Sequence, residues 1–271
     1  MKNLVLSTAL LGSALFAANT QAIELQVSIS NLTQGMSFTP RLLVAHTSDV
    51  DLYQTGVAAS TPLAWLAESG SITDASNAAS AGENFEWMLE TTENAPNNTW
   101  QVFGGLLAPA TTSAAYTFET NDMPYLSLVS MLIPTNDAFV GMDSIAIPSA
   151  PGTYNYYLNA YDAGTELNDE ISPATSTATE AGSGDALGGY GVPGMAGVGA
   201  PTVSNIGSAA TGVAVQIDGS NQIADGTDGP VHIHRNVMGD TDATAGRSDL
   251  DATVHRWLNP VARITIIVPA S

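Results

Sequence analysis

Ile23, Leu25, Val27 and Ile29 alternate with polar residues in "IELQVSIS". A period of two sends successive side chains to opposite faces, which suits a half-buried strand and no helix. The runs "RLLVAH", "TWQVFGGLL", "AAYTFET", "YLSLVSMLIP", "TYNYYLNAY", "TGVAVQID", "PVHIHRN" and "VARITIIVP" read as strands on the same grounds, giving about nine. Many short strands separated by turn residues imply an all-β fold, an antiparallel β-sandwich or barrel of about eight or nine strands. Helix is expected in one or two short pieces. "STPLAWLAESG" carries Ser60 or Thr61 as N-cap, Pro62 in the first turn, Leu63, Leu66 and Ala67 at helical spacing, and Gly70 as a stop. A second short helix is expected near 73–81.

The first 22 residues, "MKNLVLSTALLGSALFAANTQA", place Lys2 before an apolar core and end in small residues, the pattern of a secretory signal. Their apolar stretch is shorter than the roughly 20 residues of a spanning helix, and no later segment is both long and charge-free enough to span. The mature chain, 23–271, is therefore expected to be exported, to the periplasm, the cell surface or the medium. Its 249 residues suffice for one large β domain. Residues 172–207, rich in Gly, Ala, Ser, Thr and Pro, read as a long loop. The GxGxxG at Gly189, Gly191 and Gly194 neither follows a strand nor opens a helix, so it is not read as a dinucleotide site.

Beyond the signal, five Arg face 26 Asp and Glu, a formal side-chain charge of −21. Such a surface repels nucleic-acid phosphates and anionic lipid, and attracts cations. The absence of cysteine leaves an exported chain without disulfides, so its stability must come from the core, from bound metal, or from both.

Carboxylates concentrate in two places. "LNAYDAGTELNDE" groups Asp162, Glu166, Asp169 and Glu170 around Gly164 after a strand, and "VSMLIPTNDAFVGMDSIAIP" ends an apolar run at Asn136 and Asp137. If these two runs are neighbours in a sheet, their acidic ends meet at one edge. Hard oxygen ligands converging on loops suit calcium, which takes six to eight of them at roughly 2.3–2.6 Å. The same acids in so acidic a chain also suit plain solvation.

Those two segments, "VSMLIPTNDAFVGMDSI" and "YDAGTELND", resemble the spondin domain, the N-terminal module named from F-spondin. The resemblance is clearest over 126–168. It extends to "IELQVSISNLTQGMSFTPRLLVAHT" at the start and to "VHIHRNVMGDTD" and "WLNPVARITIIV" near the end, which are similar to bacterial versions. It implies one β-sandwich over most of the mature chain, with a calcium ion held by Asp137, Asp162 and Glu166. Glu166 stands where the animal domains have Asp, and those domains carry cysteines.

Other constellations suggest other metals. His232 and His234 alternate in "PVHIHRN", and with His46 or His255 they suggest a zinc or copper site. Asp240 and Asp242, or Asp249 and Asp251, suggest a second cation site, with Arg247 and Arg256 as alternative partners. Trp65, Trp87, Trp100 and Trp257 are expected in the core. Neither GxSxG, nor a catalytic cysteine, nor a Walker A loop is present. The sequence therefore reads as an exported calcium-binding β-sandwich for adhesion or matrix interaction, and not as an enzyme. Its expected partner is a protein or glycan at the cell surface. The alternative reading is a metal-dependent enzyme built on His232 and His234.

Overall fold

The structure, a computed structural model, describes residues 23–76, 80–91, 96–165, 229–239, 241 and 250–270. In chain order the elements are β1 (Glu24–Asn31), β2 (Ser37–Phe38), β3 (Arg41–His46), α1 (Thr61–Ser69), α2 (Phe85–Glu90), β4 (Asn98–Phe103), β5 (Tyr116–Glu119), β6 (Tyr125–Ile133), β7 (Ala138–Ala146), β8 (Gly152–Asp162), β9 (His232–Ile233) and β10 (Ala262–Val268). All strand pairs are antiparallel, in the order β4-β3-β6-β7-β8-β10-β1-β5, with β2 on β6 and β9 on β8. The expected all-β class is the observed one.

The sheet curls back on itself. Phe103 on β4 stacks on Tyr116 of β5, with ring centroids 4.1 Å apart and planes 6° apart, which brings the two ends of the strand order together. The enclosed core draws on nearly every strand, including Leu25, Val27 and Ile29 from β1, Leu126 and Leu128 from β6, and Ile264 and Ile266 from β10. The apolar side of the alternation in "IELQVSIS" points here. A second core lies on the outer face of β3, β6 and β7, where Leu42, Val44, Val129 and Phe139 are covered by Leu63, Leu66 and Ala67 of α1 and by Phe85 and Leu89 of α2. Strand β6 is thus buried on both faces, which explains its nearly continuous apolar run.

Helix α1 forms as its signals dictate. Ser60 caps it by accepting a hydrogen bond from Leu63 N, and Gly70 ends it at φ 68° in the left-handed region. The second helix departs from expectation. Residues 73–76 form a turn tied by Ser76 and Thr73, and α2 begins after Asn84, whose side chain accepts from Trp87 N. Its six residues bury only Phe85 and Leu89, so Trp87 stays 51% exposed, unlike Trp65 and Trp257 in the core. "PVHIHRN" contributes only the two-residue β9. The run "TGVAVQID", the 172–207 loop, its glycine motif and the 1–22 leader lie outside the described residues.

Strands β1 and β10, from opposite ends of the chain, pair over Gln26↔Ile267 to Asn31↔Ala262, and β10 pairs in turn with β8. No helix among the described residues is long and apolar enough to cross a membrane.

Candidate metal centre

Asp137 closes the turn after β6, and Asp162 is the last residue of β8. The strand that brings them together is β7, whose first residue, Ala138, pairs with Asp162. Asp137 therefore enters the site from the start of β7 and not from a β6–β8 pairing, because β7 stands between those two strands. Ala163 N donates to the Asp137 carbonyl at 3.3 Å, fastening the end of β8 to this turn.

Both carboxylates are withdrawn from solvent, with Asp137 0% and Asp162 1% exposed. The 162–165 turn binds each of them. Gly164 N donates to Asp162 Oδ1 at 2.7 Å, while Thr165 donates to Asp137 Oδ2 from its backbone N at 2.8 Å and its hydroxyl at 3.2 Å. This turn requires glycine at 164. Its φ is 71°, and an added Cβ would lie 2.0 Å from the Gly229 carbonyl oxygen. On the β6–β7 side, Thr135 holds the loop by donating its hydroxyl to Leu132 O and accepting from Ala138 N.

Beneath the acidic end lies an aromatic layer. Phe139 pairs with Tyr161 in register, and Tyr53 packs against both, at centroid distances of 5.0 and 5.1 Å. Gly141 admits Tyr53, since a Cβ there would lie 2.6 Å from the phenol oxygen. Burial, then the neighbouring Tyr161, pushes the Tyr53 hydroxyl well above the ordinary phenol range, so it stays neutral.

His232 completes the surroundings. It pairs with Asp162 in register, and its Nε2 lies 3.8 Å from Asp162 Oδ2. Its Nδ1 lies 2.9 Å from the Pro230 carbonyl, which can only accept, so Nδ1 carries a proton. In the neutral ring Nε2 then turns a lone pair towards the carboxylate.

The two carboxylates supply oxygen donors, the type a hard cation takes. Carboxylates removed from water need hydrogen bonds, a paired charge or a metal, and the donors here are oxygens on loops, the chemistry calcium takes. Glu166, expected as the third ligand, lies outside the described residues, as do Asp169 and Glu170. Among the described residues no group of three or more His, Cys, Asp or Glu is placed to hold a metal ion.

The histidines do not gather. His46 is engaged at both ring nitrogens, with Thr47 O at 2.7 Å and Ser127 Oγ at 2.8 Å. His234 packs beside Trp257 and accepts from Asn236 N, while His255 Nδ1 accepts from Asp251 N. The three-nitrogen zinc or copper site is therefore not assembled among the described residues. Of the second candidate cation site, Asp240, Asp242 and Asp249 lie outside them. Asp251 accepts from Thr253 N and from the Thr253 hydroxyl, as a turn-forming aspartate does.

Sequence reasoning passed over Thr165, although it lies inside the "DAGTE" string. A hydroxyl residue three positions after a strand-terminal Asp was the available signal. A family model described as Spondin_N matches residues 31–181, more than half of the chain. No curated protein matches the chain.

Proposed function

The chain belongs to the Spondin_N family, and from that premise we propose that it is an exported, calcium-binding interaction module with no catalytic role. Residues 23–271 form one spondin-type unit in this reading, and its partner is a protein or glycan at a cell surface or in a matrix. The observation that carries the calcium reading is the burial of Asp137 and Asp162 at adjoining strand ends, each gripped by the same 162–165 turn.

Asp137 and Asp162 would hold the ion, with Glu166 as third ligand. Calcium, when bound, supplies positive charge that offsets the buried carboxylates. Thr165 and Gly164 N orient the two carboxylates, and β7 and β8 fix their separation. The family and the all-β fold support an extracellular type of module, and the leader-like 1–22 segment supports export. Fold alone does not choose the partner.

Metal analysis of the mature protein, purified without chelator, tests this reading. Calcium near one per chain is the expected result. Zinc or copper in stoichiometric amount instead, or no metal at all, would contradict it.

A further inference from the structure

A groove of about 500 Å³ opens between the β1–β2 connection and the segment before β10, walled by Leu32, Gln34, Arg256, Trp257 and Leu258, with Asn236 alongside. Its walls are firmly held. Asn236 Oδ1 accepts from Trp257 N at 3.1 Å, and its Nδ2 donates to Trp257 O, so both backbone groups of that residue are clamped. On the other wall, Gly35 sits so close to the 251–254 turn that a Cβ would lie 2.3 Å from Val254 O. Gln34 Nε2 donates to Thr253 O at 3.3 Å, and Leu32 N donates to Val261 O at 2.8 Å.

These bonds use up most of the polar lining, because Thr33 is also committed to Asn31 and Met36. The Arg256 guanidinium is exposed and makes no ion pair within 4 Å among the described residues, in a chain of 26 acids and five Arg. Two leucines line the same groove. Leu32 is 46% and Leu258 87% exposed, so both offer aliphatic surface to the groove.

We infer that this groove binds a small amphiphilic monocarboxylate, with its carboxylate on Arg256 and its aliphatic chain along Leu32 and Leu258. A guanidinium fork matches a carboxylate in bidentate geometry. Among the described residues that line the groove, Arg256 is the one cation, so the groove matches one negative charge. At contact distance a guanidinium–carboxylate pair outweighs charges lying beyond the screening length of about 8–10 Å in physiological salt. The volume suits a small ligand, within the roughly 300–1,000 Å³ of such sites. This site uses none of the residues assigned to calcium.

Octanoate, kept below its micellisation concentration, is the probe. Calorimetric titration of the calcium-replete protein, backed by amide shifts at Gln34 and Leu258, should show saturable binding in about the millimolar range. Acetate, octanol and octylamine should each bind more weakly. Arg256→Gln should weaken octanoate binding by about fivefold or more, and Leu258→Ser by about threefold. Both residues are exposed, so an unchanged thermal melt verifies that the variants are folded. The inference is overturned if octanoate does not saturate, if octylamine or octanol binds equally well, or if Arg256→Gln binds as the wild type does.

Discussion

Thr165 donates to a single oxygen of Asp137, Oδ2, from both its backbone N–H and its hydroxyl. The residue that closes the turn after β8 thereby positions a carboxylate 28 positions earlier in the chain. Thr165→Val keeps the shape and the backbone donor but removes the hydroxyl. The loss should be about 1 kcal/mol of stability, read as a lower urea midpoint in calcium-free protein. An unchanged midpoint would take the hydroxyl out of the site.

Gly164 and Gly82 share a left-handed backbone but not a neighbourhood. At Gly164 (φ 71°) a Cβ meets Gly229 O at 2.0 Å, whereas at Gly82 (φ 78°) nothing lies within 4 Å. Gly82→Ala should cost about 1 kcal/mol from backbone strain alone. Gly164→Ala adds a backbone collision and should cost about 2–4 kcal/mol. It should also weaken calcium binding, because Gly164 N is a donor to Asp162. Equal losses for the two variants, measured by chemical unfolding, would contradict the packing of 164 against 229.

How far the fold was legible follows from the kind of signal each element carries. β1 and β10 show the alternation of a sheet with one wet face, and α1 has a cap at Ser60 and a stop at Gly70, so local chemistry alone identifies them. β7 has no such alternation. Its first five residues are buried, and Asp143 and Ser144 then turn outward with Ser144 at φ 47°. The acidic residues of the site were legible as a composition cluster. Their true neighbour was not, since the insertion of β7 between β6 and β8 is a matter of register and topology. α2 was misplaced because a six-residue helix with two buried side chains offers too little periodicity to set its bounds.

His255 gives the fold an acid sensitivity. Burial lowers its affinity for a proton below the ordinary imidazole value of 6.5, and its Nδ1 is already accepting from Asp251 N at 2.9 Å. The unfolded chain therefore binds a proton as the pH falls through 6.5 while the native ring resists it, so stability is lost on acidification. The slope from this group approaches at most about 1.4 kcal/mol per pH unit. Urea unfolding at pH 7 and pH 5.5 should show a smaller acid loss in His255→Gln than in the wild type. Identical pH dependence of the two would remove His255 as the cause.

Asp137 and Asp162 are proposed to bind calcium together, and calcium titration of the metal-stripped mature protein by calorimetry tests this most directly. The wild type should bind about one calcium per chain, as a single site of this kind requires. Asp162→Asn and Asp137→Asn, which keep shape and remove one charge, should each weaken binding by about tenfold or more, since a tenfold change is only about 1.4 kcal/mol. Wild-type affinity in both variants, or no calcium binding by the folded wild type, would contradict the account.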